Sequence, residues 1–198
     1  MLKPRQDLKP NTAAYETEAL VKPTGFREYD ARWILEKEIN LLGIQALGLG
    51  LATYVHEIGV EPRIVTGHDF RGYSLSVKQA LIIGLMQGGM EVLDVGLALS
   101  PMAYFGQFEL KAPCVAMVTA SHNENGWTGV KMGANPPLTF GPDEIGRLKE
   151  IVLNGQGVER EGGKLVRVED FRERYIADVA AKVKVSRPLK VVAACGNG

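Results

Sequence analysis

Residues 114–131 read CVAMVTASHNENGWTGVK. The first five residues are apolar, as in a short buried β-strand, and the segment that follows is polar and contains two glycines. This order predicts a strand that ends in a tight turn and presents the hydroxyl of Ser121 at the carboxyl edge of a sheet. Open α/β sheets bind their ligands at that edge, so Ser121 is a candidate for covalent chemistry.

Helix and strand patterns alternate on both sides of this turn. Apolar spacing and capping signals predict helices in five segments: residues 40–58, 76–88, 100–110, 141–153 and 168–183. Short apolar runs predict strands at residues 63–66, 92–95, 115–119 and 189–195, and residues 129–132 are expected to pair with 138–140. The alternation predicts an α/β protein with a layered sheet.

Finer signals lie inside these segments. Ser76 and Gln79 fit a capping box at the start of the second helix, and Gly48 is expected to pack one helix closely on another. Residues 155–164 are predicted to be a glycine-rich, charged connection.

The two ends of the chain differ from its middle. Residues 1–24 hold three prolines without clear periodicity, which predicts an N-terminal extension with a short helix around residues 13–20. Residues 25–187 form the predicted main domain. Residues 188–198 are predicted to be the first strand and Gly-Asn-Gly turn of a second, truncated α/β domain. That orphan strand would expose an open edge, so we expect it to be disordered or to pair with a second copy of the chain.

Composition excludes several classes of function. Lys+Arg and Asp+Glu both number 23 in 198 residues, so the net charge is zero. We therefore expect no nucleic-acid partner and no membrane partner. No signal peptide or membrane-spanning run is evident. The two cysteines, Cys114 and Cys195, sit in apolar runs without zinc-site spacing, which predicts a reduced, cytoplasmic protein.

The polar residues after the strand suggest a phosphate site. His122, Asn123 and Lys131 place donors around the hydroxyl of Ser121, and glycines allow close backbone approach. The alternative is a turn serine that bonds its own backbone. A serine hydrolase is disfavoured because no Gly-x-Ser-x-Gly elbow surrounds Ser121.

Two further clusters carry charged residues. Residues 26–32 read FREYDAR, and Arg32, with Arg27, could bind an anion through planar guanidinium groups; a solvated strand edge is the alternative. Residues 67–74 read GHDFRGYS. There Asp69 and Arg71 are predicted to form a local pair that shapes the loop, with direct substrate contact as the alternative.

Taken in order, the three clusters resemble the α-D-phosphohexomutase superfamily, most closely its phosphomannomutase/phosphoglucomutase branch. The resemblance covers about residues 25–198 and rests mainly on the Thr-Ala-Ser-His-Asn motif, supported by Tyr-Asp-x-Arg and Gly-x-Asp-x-Arg. It implies a three-layer α/β/α sandwich with a mixed, mostly parallel sheet, as in the first domain of that family.

The resemblance also implies a mechanism. Ser121 would be carried as phosphoserine and would exchange its phosphoryl group with a hexose monophosphate through a bisphosphate intermediate. Lys131 matches the family's proposed general acid/base. A Mg²⁺ ion would touch the phosphoserine oxygen.

The remaining site residues follow from the same resemblance. Arg32 and Tyr29 match residues beside the phosphoryl group, and His122 and Asn123 match the polar turn. Arg27 is included as a candidate phosphate ligand.

Three positions depart from the family pattern. Glu124 stands where proline is usual, Thr128 where asparagine is frequent, and Trp33 where glycine is frequent. These departures bear on the substrate more than on the chemistry.

The family's magnesium-binding aspartates, sugar-selecting loop and distal phosphate site belong to later domains. We therefore expect the chain alone to show negligible mutase turnover. Three alternatives stay open: a phosphoglucosamine mutase, a non-catalytic phosphosugar-binding or partner module, and a generic α/β domain.

Overall fold

A computed structural model describes residues 3–136 and 139–194. Its helices are α1 (Ala13–Thr17), α2 (Leu41–Glu57), α3 (Ser74–Gln87), α4 (Ser100–Glu109), α5 (Pro142–Leu153) and α6 (Phe171–Lys182). Its strands are β1 (Ala31–Ile34), β2 (Arg63–His68), β3 (Glu91–Leu97), β4 (Cys114–Val118), β5 (Trp127–Ala134) and β6 (Lys164–Arg167). The five predicted helices are all present, with ends shifted by a few residues.

The strands form one six-stranded sheet in the order β1-β5-β4-β2-β3-β6. Three neighbouring pairs are parallel: β4 with β2, β2 with β3, and β3 with β6. Strand β5 is antiparallel to both β1 and β4. The predicted mixed, mostly parallel sheet is therefore confirmed.

Alternation along the strands builds a core on each face of the sheet. In β2, Ile64 joins one cluster of buried side chains and its neighbour Val65 joins the other. The first cluster includes residues of α2, α3 and α5, and the second includes residues of α4 and the start of α6. Two helical layers thus enclose the sheet, and the three-layer α/β/α prediction is confirmed.

Helices α2 and α3 approach each other closely through two glycines. A Cβ on Gly48 would lie 2.3 Å from the carbonyl oxygen of Leu81, and one on Gly84 would lie 2.0 Å from that of Gln45. The expected packing role of Gly48 is confirmed, because only glycine leaves room for the facing backbone.

The start of α3 differs from the prediction. The helix begins at Ser74, after Tyr73 as N-cap, which makes no side-chain capping bond. Ser76 therefore lies inside the helix, and the predicted capping box with Gln79 is wrong. The reason is a local contact: the Ser74 hydroxyl donates to Asp69, five residues earlier, which extends the helix toward the preceding loop.

The sequence analysis did not predict strand β6. Its four residues, KLVR, are exposed and charged at both ends, so they lack the apolar pattern that indicates a buried strand. It lies at the edge of the sheet and pairs with β3 alone. The strand expected at residues 189–195 is wrong for its described part, since residues 189–194 are exposed and join no ladder. Cys195 and the Gly-Asn-Gly turn lie outside the described residues, as does Leu138 of the predicted 138–140 segment.

The N-terminal extension is part of the packed structure. Its short predicted helix is present as α1, and Leu20 and Val21 are fully buried. Asn40 connects the extension to α2: its side-chain oxygen accepts from the backbone N–H groups of Leu20 and Gly43. The proposed division into three domains stays a prediction.

Two smaller findings concern Cys114 and the length and character of the helices. Cys114 is buried, as predicted, and its burial raises the pKa of the thiol to about 12. Within the described ranges, no helix has the length and apolar character needed to cross a bilayer.

Candidate active site at the carboxyl end of strand β4

Ser121 lies in the turn that follows β4. Its φ of 56° is in the left-handed region, which non-glycine residues rarely occupy. The turn is closed by the Asn123 N–H, which donates to the carbonyl oxygen of Ala120 at 3.1 Å. The Ser121 hydroxyl is 3.4 Å from Nδ1 of His122. The strand therefore presents the serine at the edge of the sheet, as the sequence predicted.

The loop after β2 reaches the same edge and contributes a buried carboxylate. Asp69 accepts from the Ser74 hydroxyl at 2.6 Å and from the Thr119 hydroxyl at 2.8 Å. It also pairs with the Arg71 guanidinium. All four residues are buried, so this network is shielded from water and its geometry is well defined.

The network reaches Ser121 along two routes. Arg71 donates to the carbonyl oxygens of Ser121 at 3.1 Å and Asn123 at 2.6 Å. Thr119 accepts from the Ser121 N–H at 2.9 Å through the hydroxyl that also donates to Asp69. Asp69 and Arg71 thus hold the backbone on both sides of the serine. This geometry supports the loop-shaping role proposed for them.

Tyr73 anchors the other end of the serine loop. Its hydroxyl donates to the carbonyl oxygen of Trp127 at 2.8 Å and accepts from the Gly126 N–H at 2.9 Å. Leu35, just after β1, donates its N–H to the Gly126 carbonyl oxygen at 2.8 Å. The loop is therefore tied at both ends to separate parts of the fold.

Strand β1 contributes a cation through the alternation of its side chains. Ala31 and Trp33 face the core, so Arg32 between them points to the other face. Arg32 lies opposite Gly129 in the register. A Cβ on Gly129 would lie 2.4 Å from the Ala31 carbonyl oxygen and 3.0 Å from Cγ of Arg32, so glycine at this position leaves space for the arginine side chain.

Arg32 is oriented by two partners. Its Nε and Nη2 donate to Oδ2 of Asp30 at 2.9 and 2.7 Å. Its Nη1 donates to Oδ1 of Asn123 at 2.7 Å. The guanidinium therefore lies directly beside the serine turn.

Lys131 joins this cluster from β5. Its Nζ lies 3.4 Å from the same Asp30 oxygen that binds Arg32. Two cations consequently share one carboxylate next to the turn that carries Ser121. Guanidinium and ammonium groups are the side chains that bind phosphate most readily.

Two predicted residues are placed farther out. The Arg27 guanidinium lies over the ring of Trp127, 5.5 Å from its centroid. The Tyr29 side chain is 60% exposed, and it makes no hydrogen bond to another residue within the described ranges. The structure thus gathers Ser121, His122, Asn123, Arg32, Lys131, Asp69 and Arg71, and leaves Arg27 and Tyr29 at the border.

Sequence reasoning did not single out Asp30, Thr119, Ser74 or Tyr73. Asp30 and Thr119 stood inside the quoted motifs, so a signal for them was present. Ser74 and Tyr73 stood inside the quoted segment 67–74 as well. The Ser74 hydroxyl partner, Asp69, is five residues away, whereas the Tyr73 hydroxyl partners, Trp127 and Gly126, are 54 and 53 residues away. Tyr104 of α4 also lies near Asp30. Burial raises the pKa of Tyr104 most, and the negative charge of Asp30 raises it further.

The residues around Ser121 do not form a metal site on their own. Among the described residues, no group of three or more His, Cys, Asp or Glu side chains could hold a metal ion. The carboxylates of Asp30 and Asp69 already bind cationic side chains. Mg²⁺ prefers octahedral oxygen coordination, and a phosphate on Ser121 would supply one such oxygen.

Comparison with known proteins matches most of this chain to a known domain family. Residues 23–158 match the family model described as "Phosphoglucomutase/phosphomannomutase, alpha/beta/alpha domain I". A probable phosphoglucosamine mutase of Thermococcus gammatolerans is 36% identical over 139 residues, covering 69% of this chain and 31% of the relative. A probable phosphoglucosamine mutase of Methanobrevibacter smithii is 30% identical over 155 residues, covering 77% of this chain and 34% of the relative.

A third relative covers more of the chain. The phosphomannomutase/phosphoglucomutase of Pseudomonas syringae pv. tomato is 29% identical over 180 residues, covering 90% of this chain and 38% of the relative. The chain therefore spans about a third of the length of these curated relatives.

Solved structures agree on the fold. A phosphoglucomutase/phosphomannomutase family protein of Burkholderia thailandensis superimposes with a TM-score of 0.77 at 24% identity, covering 86% of this chain and 38% of the other. A structure described as a putative phosphomannomutase of Thermus thermophilus gives 0.71 at 25% identity, covering 83% and 37%.

Proposed function

Because this chain belongs to the phosphoglucomutase/phosphomannomutase family, whose α/β/α domain I it contains, we propose that it carries the phosphoserine of a phosphohexomutase. In the proposed reaction, a hydroxyl oxygen of a hexose monophosphate attacks the phosphorus on Ser121. The bond from phosphorus to Ser121 Oγ breaks, and a hexose bisphosphate forms. The reverse step at the other position returns a phosphoryl group to Ser121, so the net result is transfer between the 1- and 6-positions.

The chain's own residues would serve this chemistry in distinct ways. Arg32 and Asn123 would bind phosphoryl oxygens or orient the groups that do, and His122 lies beside the serine hydroxyl. Lys131 is proposed to move the proton between the sugar hydroxyl and Ser121 Oγ. Tyr29 and Arg27 would contact substrate only at the border of the site.

One observation carries the proposal: a single serine hydroxyl is displayed in left-handed backbone, tied to a buried network, beside two cations. The Asp69 and Arg71 bonds fix the Ser121 backbone, and Arg32 and Lys131 supply positive charge. A serine that only forms a turn does not require a buried network and two cations beside it. Electrostatic stabilisation at fixed positions is the main means by which proteins accelerate phosphoryl transfer.

A phosphoglucosamine mutase is the second candidate. Several relatives with 30–36% identity are described as probable phosphoglucosamine mutases, whereas the P. syringae mannose/glucose enzyme is 29% identical. The alternative outside enzymes is a non-catalytic phosphosugar-binding or partner module.

Three finer statements remain proposals. Mg²⁺ would neutralise charge at the phosphoserine, with its remaining ligands outside the described residues. A cytoplasmic location remains a prediction from the sequence. Self-association through residues 188–198 also remains a prediction.

Mass spectrometry of the intact chain and its peptides tests the proposal. After incubation with glucose 1,6-bisphosphate, we expect one phosphoryl group on the peptide that contains Ser121, and none on the Ser121→Ala variant. Modification only at other serines would contradict the proposal and favour the non-catalytic module.

A coupled mutase assay tests the role of the rest of the enzyme. The 198-residue chain alone is expected to show negligible mutase turnover, because the family's metal and sugar ligands lie in later domains. Turnover comparable to that of a longer form would contradict this expectation.

A further inference from the structure

Asp30 occupies a central place in the site, although the proposed chemistry assigns it no role. It is 6% exposed, and it lies in the segment that enters β1. One oxygen, Oδ2, accepts two hydrogen bonds from Arg32 and also faces Lys131 at 3.4 Å. These residues come from strands β1 and β5, so Asp30 joins two neighbouring strands of the sheet.

Asp30 determines the orientation of the Arg32 guanidinium. Because Nε and Nη2 are both bound to Asp30, the remaining Nη1 is directed at Asn123 in the serine turn. The plane of a guanidinium with two of its nitrogens bound to one oxygen is fixed. Loss of the carboxylate would free the arginine to rotate on its flexible stem.

The charges give Asp30 a second effect. Arg32 and Lys131 together carry two positive charges, and Asp30 reduces the sum to one. A phosphate bound beside an uncompensated pair would be held more tightly than one beside the compensated cluster. Tighter ground-state binding does not speed transfer, since only interactions that strengthen in the transition state do so.

We propose that Asp30 is a positioning residue for phosphoryl transfer. It holds Arg32 and Lys131 together facing the Ser121 turn, and its charge lowers the affinity of these two cations for bound phosphate. This role rests on the proposed function of Ser121. Asp30 acts through the two cations and does not touch the reacting atoms.

The test compares Asp30→Asn with the wild-type 198-residue chain in two measurements. The first is the dissociation constant of inorganic phosphate from titration followed by NMR. The second is the single-turnover rate of Ser121 phosphorylation by saturating glucose 1,6-bisphosphate. Asp7→Asn is the matched control, since Asp7 is exposed and pairs with Arg5 in the extension.

Asp30→Asn should bind phosphate about threefold tighter or more, because a negative charge beside the anion is removed. It should transfer the phosphoryl group about tenfold more slowly or worse, because the cations are no longer held in place. Asp7→Asn should change neither value by more than about twofold. A residue needed only for folding would weaken both. Unchanged or weaker phosphate binding, or transfer at the wild-type rate, would overturn the proposal.

Two arrangements keep the test decisive. If the wild-type chain is phosphorylated only at other serines, the proposed function fails. In that case, and if no serine is phosphorylated, the phosphate titration still decides whether Asp30 restrains the cation pair. If Asp30→Asn does not fold, Asp30→Glu replaces it. That variant keeps the charge, so phosphate affinity should stay within about twofold, while its longer side chain displaces the cations and slows transfer. Wild-type transfer in a folded Asp30→Glu variant would then overturn the proposal.

Discussion

At the level of single residues, Ser121 is held in a conformation that costs on the order of 1 kcal/mol or more for a residue with a side chain. Three hydrogen bonds offset that cost. The Ser121 N–H donates to Thr119, Arg71 donates to the Ser121 carbonyl oxygen, and the Asn123 N–H closes the turn on Ala120. The exposed hydroxyl therefore depends on buried groups that never touch a ligand.

Replacing Arg71 with leucine tests this dependence. The Asp69 carboxylate would remain buried without its cation, so we expect a loss of about 3–5 kcal/mol in the free energy of unfolding. Urea unfolding followed by circular dichroism measures it. Phosphorylation of Ser121 should fall as well, because the turn loses the bonds that shape it.

Two companion variants define the result. Asp69→Asn combined with Arg71→Leu should recover part of the loss, since no charge is left buried. Arg147→Leu removes an exposed arginine that binds Glu57 and Glu150, and it should cost no more than about 1 kcal/mol. Equal effects of Arg71→Leu and Arg147→Leu would show that the buried pair has no special weight.

At the level of elements, the contact between α2 and α3 sets where the loop after β2 lies. Strand β2 ends at His68 and the site loop leads directly into α3, so a displaced α3 would carry Tyr73 and Ser74 with it. Gly48 and Gly84 allow the two helix backbones to meet. The position of the helix and the geometry of the site are therefore coupled.

Gly84→Ala should destabilise the chain by at least about 2 kcal/mol, because overpacking at a backbone contact forces the helices apart. The added Cβ would lie 2.0 Å from the Gln45 carbonyl oxygen and 2.7 Å from the Leu49 nitrogen. Thermal and urea unfolding measure the change.

Gly146→Ala provides the control within α5. Gly146 is an exposed helical glycine with nothing near its Cβ position, so alanine should stabilise the chain by about 0.5–1 kcal/mol. A Gly84→Ala variant within about 0.5 kcal/mol of wild type would refute the role given to the helix contact.

At the level of the whole molecule, the N-terminal extension is built into the domain although the matched family region begins at residue 23. Leu20 and Val21 are fully buried. The Tyr15 hydroxyl donates to the Glu36 carbonyl oxygen, and Leu35 next to it donates to Gly126 of the serine loop. A continuous series of packed segments thus joins the extension to the site.

Asn40→Ala tests this connection. The Asn40 side chain caps α2 through Gly43 and holds Leu20, Tyr15 and Glu18 of the extension. Its loss should cost about 2–3 kcal/mol, as the sum of a lost cap and unsatisfied buried groups. Urea unfolding measures the cost.

Thr12→Ala is the matched control, because it removes a cap from the exposed helix α1 and should cost less than about 1 kcal/mol. If Asn40→Ala is no more harmful than Thr12→Ala, the extension is not a structural part of the domain.

Local patterns in the chain were sufficient for its α/β character, its five long helices and the turn that presents Ser121. These features follow from the spacing of apolar residues and from turn residues within a few positions of each other. The same short-range information carried the family motifs around Ser121 and Arg32, and the family match confirms their assignment to this domain.

The pairing of side chains across the site depended on the folded arrangement instead. Asp30 meets Lys131 at a sequence separation of 101, and Arg71 meets the Ser121 carbonyl at a separation of 50. Such contacts follow from strand order and register, which bring distant segments together and which no local pattern specifies. For the same reason β6 became a strand by pairing with β3, while residues 189–194, with a more apolar sequence but no ladder partner, did not.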